Sequence, residues 1–525
     1  MHDCIILCPI PRQPQQTMNE SIYSFVLEHT TDNRYDGAIL PDDFKIQEKS
    51  KLKGIRLAPG LLDDFQASTQ DQGQVKKICD LLELISTGTD KRADLYAELV
   101  SGENAISIVD SVLKELAERK VDITESLQIL AQWLMRESSD REPVKFGITL
   151  CGVVGGVVEP VVLFANCEEF ALFSGLALIK RANADIKIEE VLIEIASKLE
   201  GWGKIQLVRI MTEYLDIKNR QWFLYEGWKN IIGPEVTLRC AIAGKLDQEV
   251  DTADIEKITK LVEDLIPDFR SQGSLDSYEH AASVLKKVIE RLSKEDLKIE
   301  YLLFASRVLE YVSNKEIDNE SKKLGWNEEV KNEIIEVYKE FTDRKEWADI
   351  TKAAIEGDDI ELANRVAYIL RLDVWDKNYE HLISHPKEAK ERGHVWFNLM
   401  RSNSKERADK VVNYALAILP LKEYCTGPDI KTMFMPGFNF GVSQSLSAIL
   451  QIIQPFSGLG YDLVSKSLYS PVIVDRNMTF NVLEEWHVED LKRHKIAELL
   501  QDLLEKEPDE QVRERTKNLL SKIEG

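Results

Sequence analysis

Three histidines, His381, His385 and His394, fall within "EHLISHPKEAKERGH", the chain's most direct offer of metal chemistry. His381 and His385 are four residues apart, one helical turn, a spacing at which two imidazoles can share a metal ion. Glu380 or Glu388 would add the carboxylate that a non-haem iron site requires. The pattern is not H-E-x-x-H, and its charged surroundings describe surface histidines on an exposed helix equally simply. Cys425 in "KEYCTGPD" is the candidate thiolate for a haem. It lacks an upstream F-x-x-G, and a small residue at a helix end accounts for it better. Gly201 and Gly203 in "EGWGKIQ" form a G-x-G, but Gln206 stands where a third glycine belongs. The segment before it reads as helix, whereas a dinucleotide site needs strand, tight turn and helix together. A helix-to-helix turn is the expectation. No G-x-S-x-G occurs, and no Ser, His and Asp set stands out from the others.

The elements that would position these residues are helices. From about Gly73 onward apolar residues recur at spacings of three and four, as Val75, Ile78, Leu82 and Ile85 do in "QVKKICDLLELIS". Helices are expected at 186–200, 204–216, 235–247, 254–266, 276–292, 296–313, 327–342, 358–371, 386–401, 404–418, 489–506 and 509–523. Short connections imply antiparallel neighbours. Pairs recur at roughly 40 residues, the period of HEAT-type repeats. The expected fold is therefore all-α, a HEAT-like α-solenoid of antiparallel helix pairs. It divides into an irregular, turn-rich segment at 1–72, helical repeats at 73–355 and further repeats at 356–525. A Gly-, Pro- and aromatic-rich loop at 426–445, "TGPDIKTMFMPGFNFGVSQS", interrupts the last part. It is the preferred place for a binding site.

The stretch "FGITLCGVVGGVVEPVVLFA" (146–165) is nearly uncharged in a densely charged chain. Its uncharged run is shorter than the ~20 residues a spanning helix needs. Its glycines match neither phosphate-loop pattern. Gly147, Cys151 and Gly155 fall on one helical stripe, as do Gly152 and Gly156, so close helix packing is expected. Glu159 and Pro160 should end this helix. Asn166 with Glu169 three residues on resembles a capping box opening the next.

The formal net charge is −23, with 44% hydrophobic and 30% charged residues over 525 positions. Such a field repels phosphate backbones and anionic membrane surfaces, so no nucleic-acid partner and no membrane insertion are expected. Seven cysteines, the closest pair being Cys4 and Cys8, form no disulfide framework, and a reduced, cytoplasmic chain is expected. The opening "MHDCIILCPIPRQPQQ" has no basic region before its apolar run and does not read as a signal peptide.

Three tracts together carry a resemblance: "DREPVKFGITLCGVVG…CEEFALFSGLALIK", "EGWGKIQLVRIM…NRQWFLYEGWKN" with "TLRCAIAGKL", and "ILPLKEYCTGPD…SPVIVDRNMTFNVLEEW". They resemble a family of bacterial HEAT-like helical proteins, some members of which carry the label limonene hydroxylase. The resemblance implies hydroxylation of limonene, a small apolar monoterpene, to carveol or perillyl alcohol, and possible oxidation of those alcohols. It implies NAD(P)H as the cofactor and assigns no catalytic residue. The residues themselves favour a different reading, a non-catalytic α-solenoid that binds a protein or peptide in its concave groove.

Overall fold

The computed structural model describes residues 20–49, 57–64, 71–102, 104–182, 187–267, 273–400, 404–431 and 440–525. The chain is all-α. Among the described residues the only paired strands are Thr30–Thr31 and Arg34–Tyr35, an antiparallel hairpin in the turn-rich N-terminal segment. Lys431 and Val472 add one isolated bridge. Two compact units divide the chain, one ending at Arg344 and one running from Lys345 to Gly525. Among the described residues no helix is long and apolar enough to cross a membrane.

The helices form where apolar spacing and capping agree. In Gln72–Ser86, Asp71 accepts from Gly73 N and Gln74 N at the N-terminus, a cap worth about 1 kcal/mol. Val75, Ile78, Leu82 and Ile85 are buried on one face, each contributing about 1.5–3 kcal/mol. The apolar stretch at 146–165 folds as two helices, Arg141–Val154 and Glu159–Ala165. Gly147 is where the first meets helix Glu125–Glu137, since a Cβ there would lie 2.7 Å from Leu134 Cβ. Gly152 is where it meets helix Ala171–Arg181, with Ala177 Cα 2.9 Å from that same imagined atom.

Two details differ from expectation. Gly155 and Gly156 are not stripe residues but the chain reversal, at φ of +91° and +111°, a region glycine enters at no steric cost. They end the helix, and Glu159 and Pro160 open the next one, where proline's missing N–H is no loss. Asn166 caps the C-terminus of the short helix, its Nδ2 donating to Val162 O at 2.8 Å. Helix Ala171–Arg181 then starts without a side-chain cap. The expected capping box is absent because Glu169 turns inward.

Some expected helices break. The one at 386–401 divides into Pro386–Glu391 and a 3₁₀ turn, Gly393–Leu399. Gly393 lies so close to helix Phe440–Ile453 that a Cβ would fall 2.4 Å from Gly441 O. The one at 489–506 divides at Lys495, which is left-handed. The one at 235–247 stops at Ala243, before left-handed Lys245. The centre of the 426–445 loop and the pair Cys4 and Cys8 lie outside the described residues.

Candidate functional site

Helix Arg141–Val154 begins with two cations on one face, Arg141 and Lys145, four residues apart. Cations at a helix N-terminus oppose its dipole, so acids must gather around them. Arg141 holds Asp42 through Nε at 3.1 Å and Nη2 at 3.0 Å, and its backbone N–H donates to the same carboxylate at 2.8 Å. Its guanidinium also reaches Asp43 and Glu169, each at 3.2 Å. Lys145 Nζ donates to Asp63 at 2.7 Å, to Glu169 at 2.8 Å and to Glu142 at 3.4 Å. Glu169 completes its shell with Gly60 N at 3.0 Å. Lys145 and Asp63 side chains are each 1% exposed, which makes this a desolvated ionic network.

The network ties the N-terminal segment to the helices. Asp42 and Asp43 open at a helix start. Gly60, at φ +78°, leads into Leu61–Asp64. A Cβ on Gly60 would lie 2.9 Å from Glu168 O, so glycine is required both for the turn and for the close approach. Above the network is a cavity of about 70 Å³. Leu40, Leu57, Ala58 and Leu62 are among its apolar walls, and Asp43, Arg141 and Glu169 give it charged groups. It has room for several water-sized atoms or a small apolar group. An apolar pocket with a few convergent polar groups is the default place for a ligand.

The cluster carries opposing proton linkages. Burial would raise the Glu169 carboxyl, but Arg141 and Lys145 overcome it and hold it at about 2. Burial pushes Asp63 up to about 7, with Lys145 drawing it down and Glu169 and Glu142 adding to the rise. Asp63 Oδ1 has no hydrogen-bond partner among the described residues. Glu169 therefore contributes stability that is present above its unfolded pKa, near 4.5, and lost as pH falls toward 2. Asp63 acts oppositely. Between about pH 4 and pH 7 the unfolded chain has released this proton and the folded chain has not, so stability falls as pH rises. In Asp63→Asn that decline from pH 4 to 7 should disappear while the acid loss below pH 4 remains. Guanidinium midpoints measured from pH 3 to 8 check this, and an unchanged slope in the variant would refute it.

The histidine and Cys425 candidates belong to the second unit. His381 and His385 do come together, their rings stacked at 4.2 Å, and His381 Nε2 lies 3.5 Å from Glu388. His385 Nδ1 lies 2.9 Å from His381 O. His394 is exposed on the 3₁₀ turn Gly393–Leu399. Among the described residues no three His, Cys, Asp or Glu side chains are grouped to hold a metal ion. Cys425 sits at the C-terminus of the short helix Leu421–Tyr424, and burial, with Asp475 nearby, pushes its thiol up to about 12.

Gly201 is the N-cap of helix Trp202–Tyr214, the helix-to-helix turn expected. Its N–H groups already hold an anion. Glu168 accepts from Glu200 N and Gly201 N at 2.8 Å and from Gly203 N at 2.5 Å. A carboxylate of the chain itself thus occupies the place a phosphate takes in a dinucleotide fold.

Sequence reasoning missed Asp42, Asp43, Gly60 and Asp63, which look like ordinary turn residues in "DNRYDGAILPDD" and "LAPGLLDDF". The available signal was Arg141 and Lys145, two bases one turn apart at the head of a helix whose only other charged residue is Glu142. The chain matches no family model and no curated protein.

Proposed function

We propose that the chain is a non-catalytic α-solenoid scaffold of antiparallel helix pairs that holds a protein or peptide in a groove between its helices. The observation that carries this reading is the spacing of its side-chain ties in the first unit. Arg119 donates to Asp80, Lys287 to Asp251 and Arg307 to Glu263, across 39, 36 and 44 residues. Each span is about one helix pair. Helix Arg141–Val154 packs on Ala171–Arg181, which packs on Trp202–Tyr214, which packs on Thr237–Ala243. Nearest-neighbour stacking of this kind is how repeat arrays bury their cores and create long binding surfaces.

An open groove of about 940 Å³ in this unit supplies a place for the partner. Lys218, Arg220, Tyr225, Ile242 and Lys245 are among its lining residues, and Ile242 is 57% exposed. The test is reconstitution of a complex from purified chain and a partner purified from the source cell. Ile242→Asp with Lys245→Glu should weaken it at least about tenfold, the loss of roughly one interface anchor. Failure to reconstitute any complex would overturn the scaffold.

The apolar walls of the smaller cavity favour a second reading, hydroxylation of a monoterpene. That reaction requires a group that activates dioxygen. The donor sets at hand fit it poorly. Cys425 is half-buried with its thiol pushed up by burial, the Gly201–Gly203 turn is filled by Glu168, and His381 of the histidine pair meets the carboxylate of Glu388 alone among the described residues. Carveol or perillyl alcohol formed from limonene with NADPH and electron-transfer partners would replace the scaffold reading.

A further inference from the structure

The cavity of about 70 Å³ sits against a network with an excess of negative charge. Five carboxylates, Asp42, Asp43, Asp63, Glu142 and Glu169, meet two cations, Arg141 and Lys145. Each cation already touches three acids, so neither has charge to spare for a ligand. Even with a proton on Asp63, four carboxylates face two cations. Lys45, on the helix that begins at Asp43, is matched by Asp140 at 2.5 Å and does not redress the balance. Asp63 Oδ1 is sealed from water and has no hydrogen-bond partner among the described residues. The cluster is short of donors and of positive charge.

The cavity gives a ligand access to that imbalance. Asp43 and Glu169 are among its walls, and their side chains are only 11% and 5% exposed. Two other wall residues, Gly37 and Pro59, are exposed, so the cavity opens to solvent. Leu40 and Leu62 supply apolar surface and Tyr35 an aromatic ring. Apolar walls favour a hydrocarbon group. Ammonium groups are attracted to aromatic rings, and to carboxylates more strongly in a site sheltered from water than at the surface. An anion entering here would meet Asp43 and Glu169, with Arg141, the cation of the wall, already held by three acids. A neutral molecule would gain the apolar contacts and leave the charge excess untouched.

We propose that this cavity binds a small organic ammonium compound. Its N–H groups donate to Asp43 and Glu169, and its short hydrocarbon group packs on the leucines. The volume restricts the guest to a few heavy atoms. This site is separate from the groove lined by Ile242 and Lys245, and it stands whether or not that groove holds a partner.

The experiment is calorimetric titration of the full-length protein at pH 7 and physiological salt with three probes of one shape: isobutylammonium, isobutanol and isovalerate. Isobutylammonium should bind at one site, at least about tenfold more tightly than isobutanol, because its hydrogen bonds to carboxylates are charge-assisted. Isovalerate should not bind. Asp43→Asn keeps the side chain's shape and removes a charge, and should weaken isobutylammonium severalfold. Ala58→Phe fills the cavity and leaves every member of the ionic network in place, and should abolish binding in a chain whose circular dichroism is unchanged. Isobutanol or isovalerate binding as tightly as the ammonium would overturn the proposal, since the cavity would then select for shape or for Arg141. Ammonium binding that survives Ala58→Phe would overturn it too, because the cation would then belong to the ion atmosphere of a chain with net charge −23. So would a failure of isobutylammonium to bind.

Discussion

Lys145→Met is expected to lower the unfolding free energy of the first unit by about 3–5 kcal/mol, the range for removing one partner of a buried ion pair. Methionine keeps most of the stem's packing, so the loss reports charge. Without Lys145, Asp63 and Glu169 face each other with their shared cation gone, and only Arg141 remains to compensate Glu169. The Asp63 carboxyl then has no side-chain donor among the described residues, and the hold on the N-terminal segment loosens. Guanidinium unfolding measures the loss, and limited proteolysis within residues 20–64 should speed up in parallel. Lys187→Met breaks an exposed i,i+3 pair with Glu190, and no measurable change is expected there because water already screens both charges. Equal effects from the two substitutions would show that the buried network is not a tie.

The second unit contains a comparable site, and Arg476→Met there should also cost about 3–5 kcal/mol. Arg476 donates to Glu507 at 2.7 Å, with both side chains fully buried, and to Ser470 O at 2.8 Å. Arg476 Nε and Glu507 Oε2 have no partner among the described residues, so the pair is imperfectly satisfied even when intact. Next to it Asp475 accepts from Tyr424 at 2.8 Å, Ser443 at 2.7 Å and Ser470 at 2.8 Å. The single variant leaves Glu507 buried without its cation, with Asp509 N at 2.9 Å as its remaining donor among the described residues. The double variant Arg476→Met with Glu507→Leu removes both charges and should recover most of the loss, since well-packed apolar replacements of a buried pair are often neutral. Denaturant midpoints of the two variants decide the matter. A double variant as unstable as the single one would mean that the loss comes from packing and not from an uncompensated charge.

The local features of this chain could be read without its structure. Helix formation depends on residues three and four apart, so "QVKKICDLLELIS" carries its own periodicity and Gln72–Ser86 is helical. The close packing of Gly147 and Gly152 was legible for the same reason: small residues on one stripe invite a neighbouring backbone. Asp42 and Asp63 meet Arg141 and Lys145 across 99 and 82 residues, and nothing in their neighbours marks the meeting. A carboxylate in a turn-rich segment has the same sequence signature whether it faces water or a buried guanidinium. Glu169 looked like a cap because that reading needs only three residues, while its actual partners come from outside the span. Glu168 filling the Gly201–Gly203 turn and Gly393 giving way to Gly441 follow the same rule. Spacing along the chain determined which segments are helices and which face of each is apolar. Only the tertiary structure decided which charges are desolvated and paired, because that depends on where chain reversals bring distant segments together.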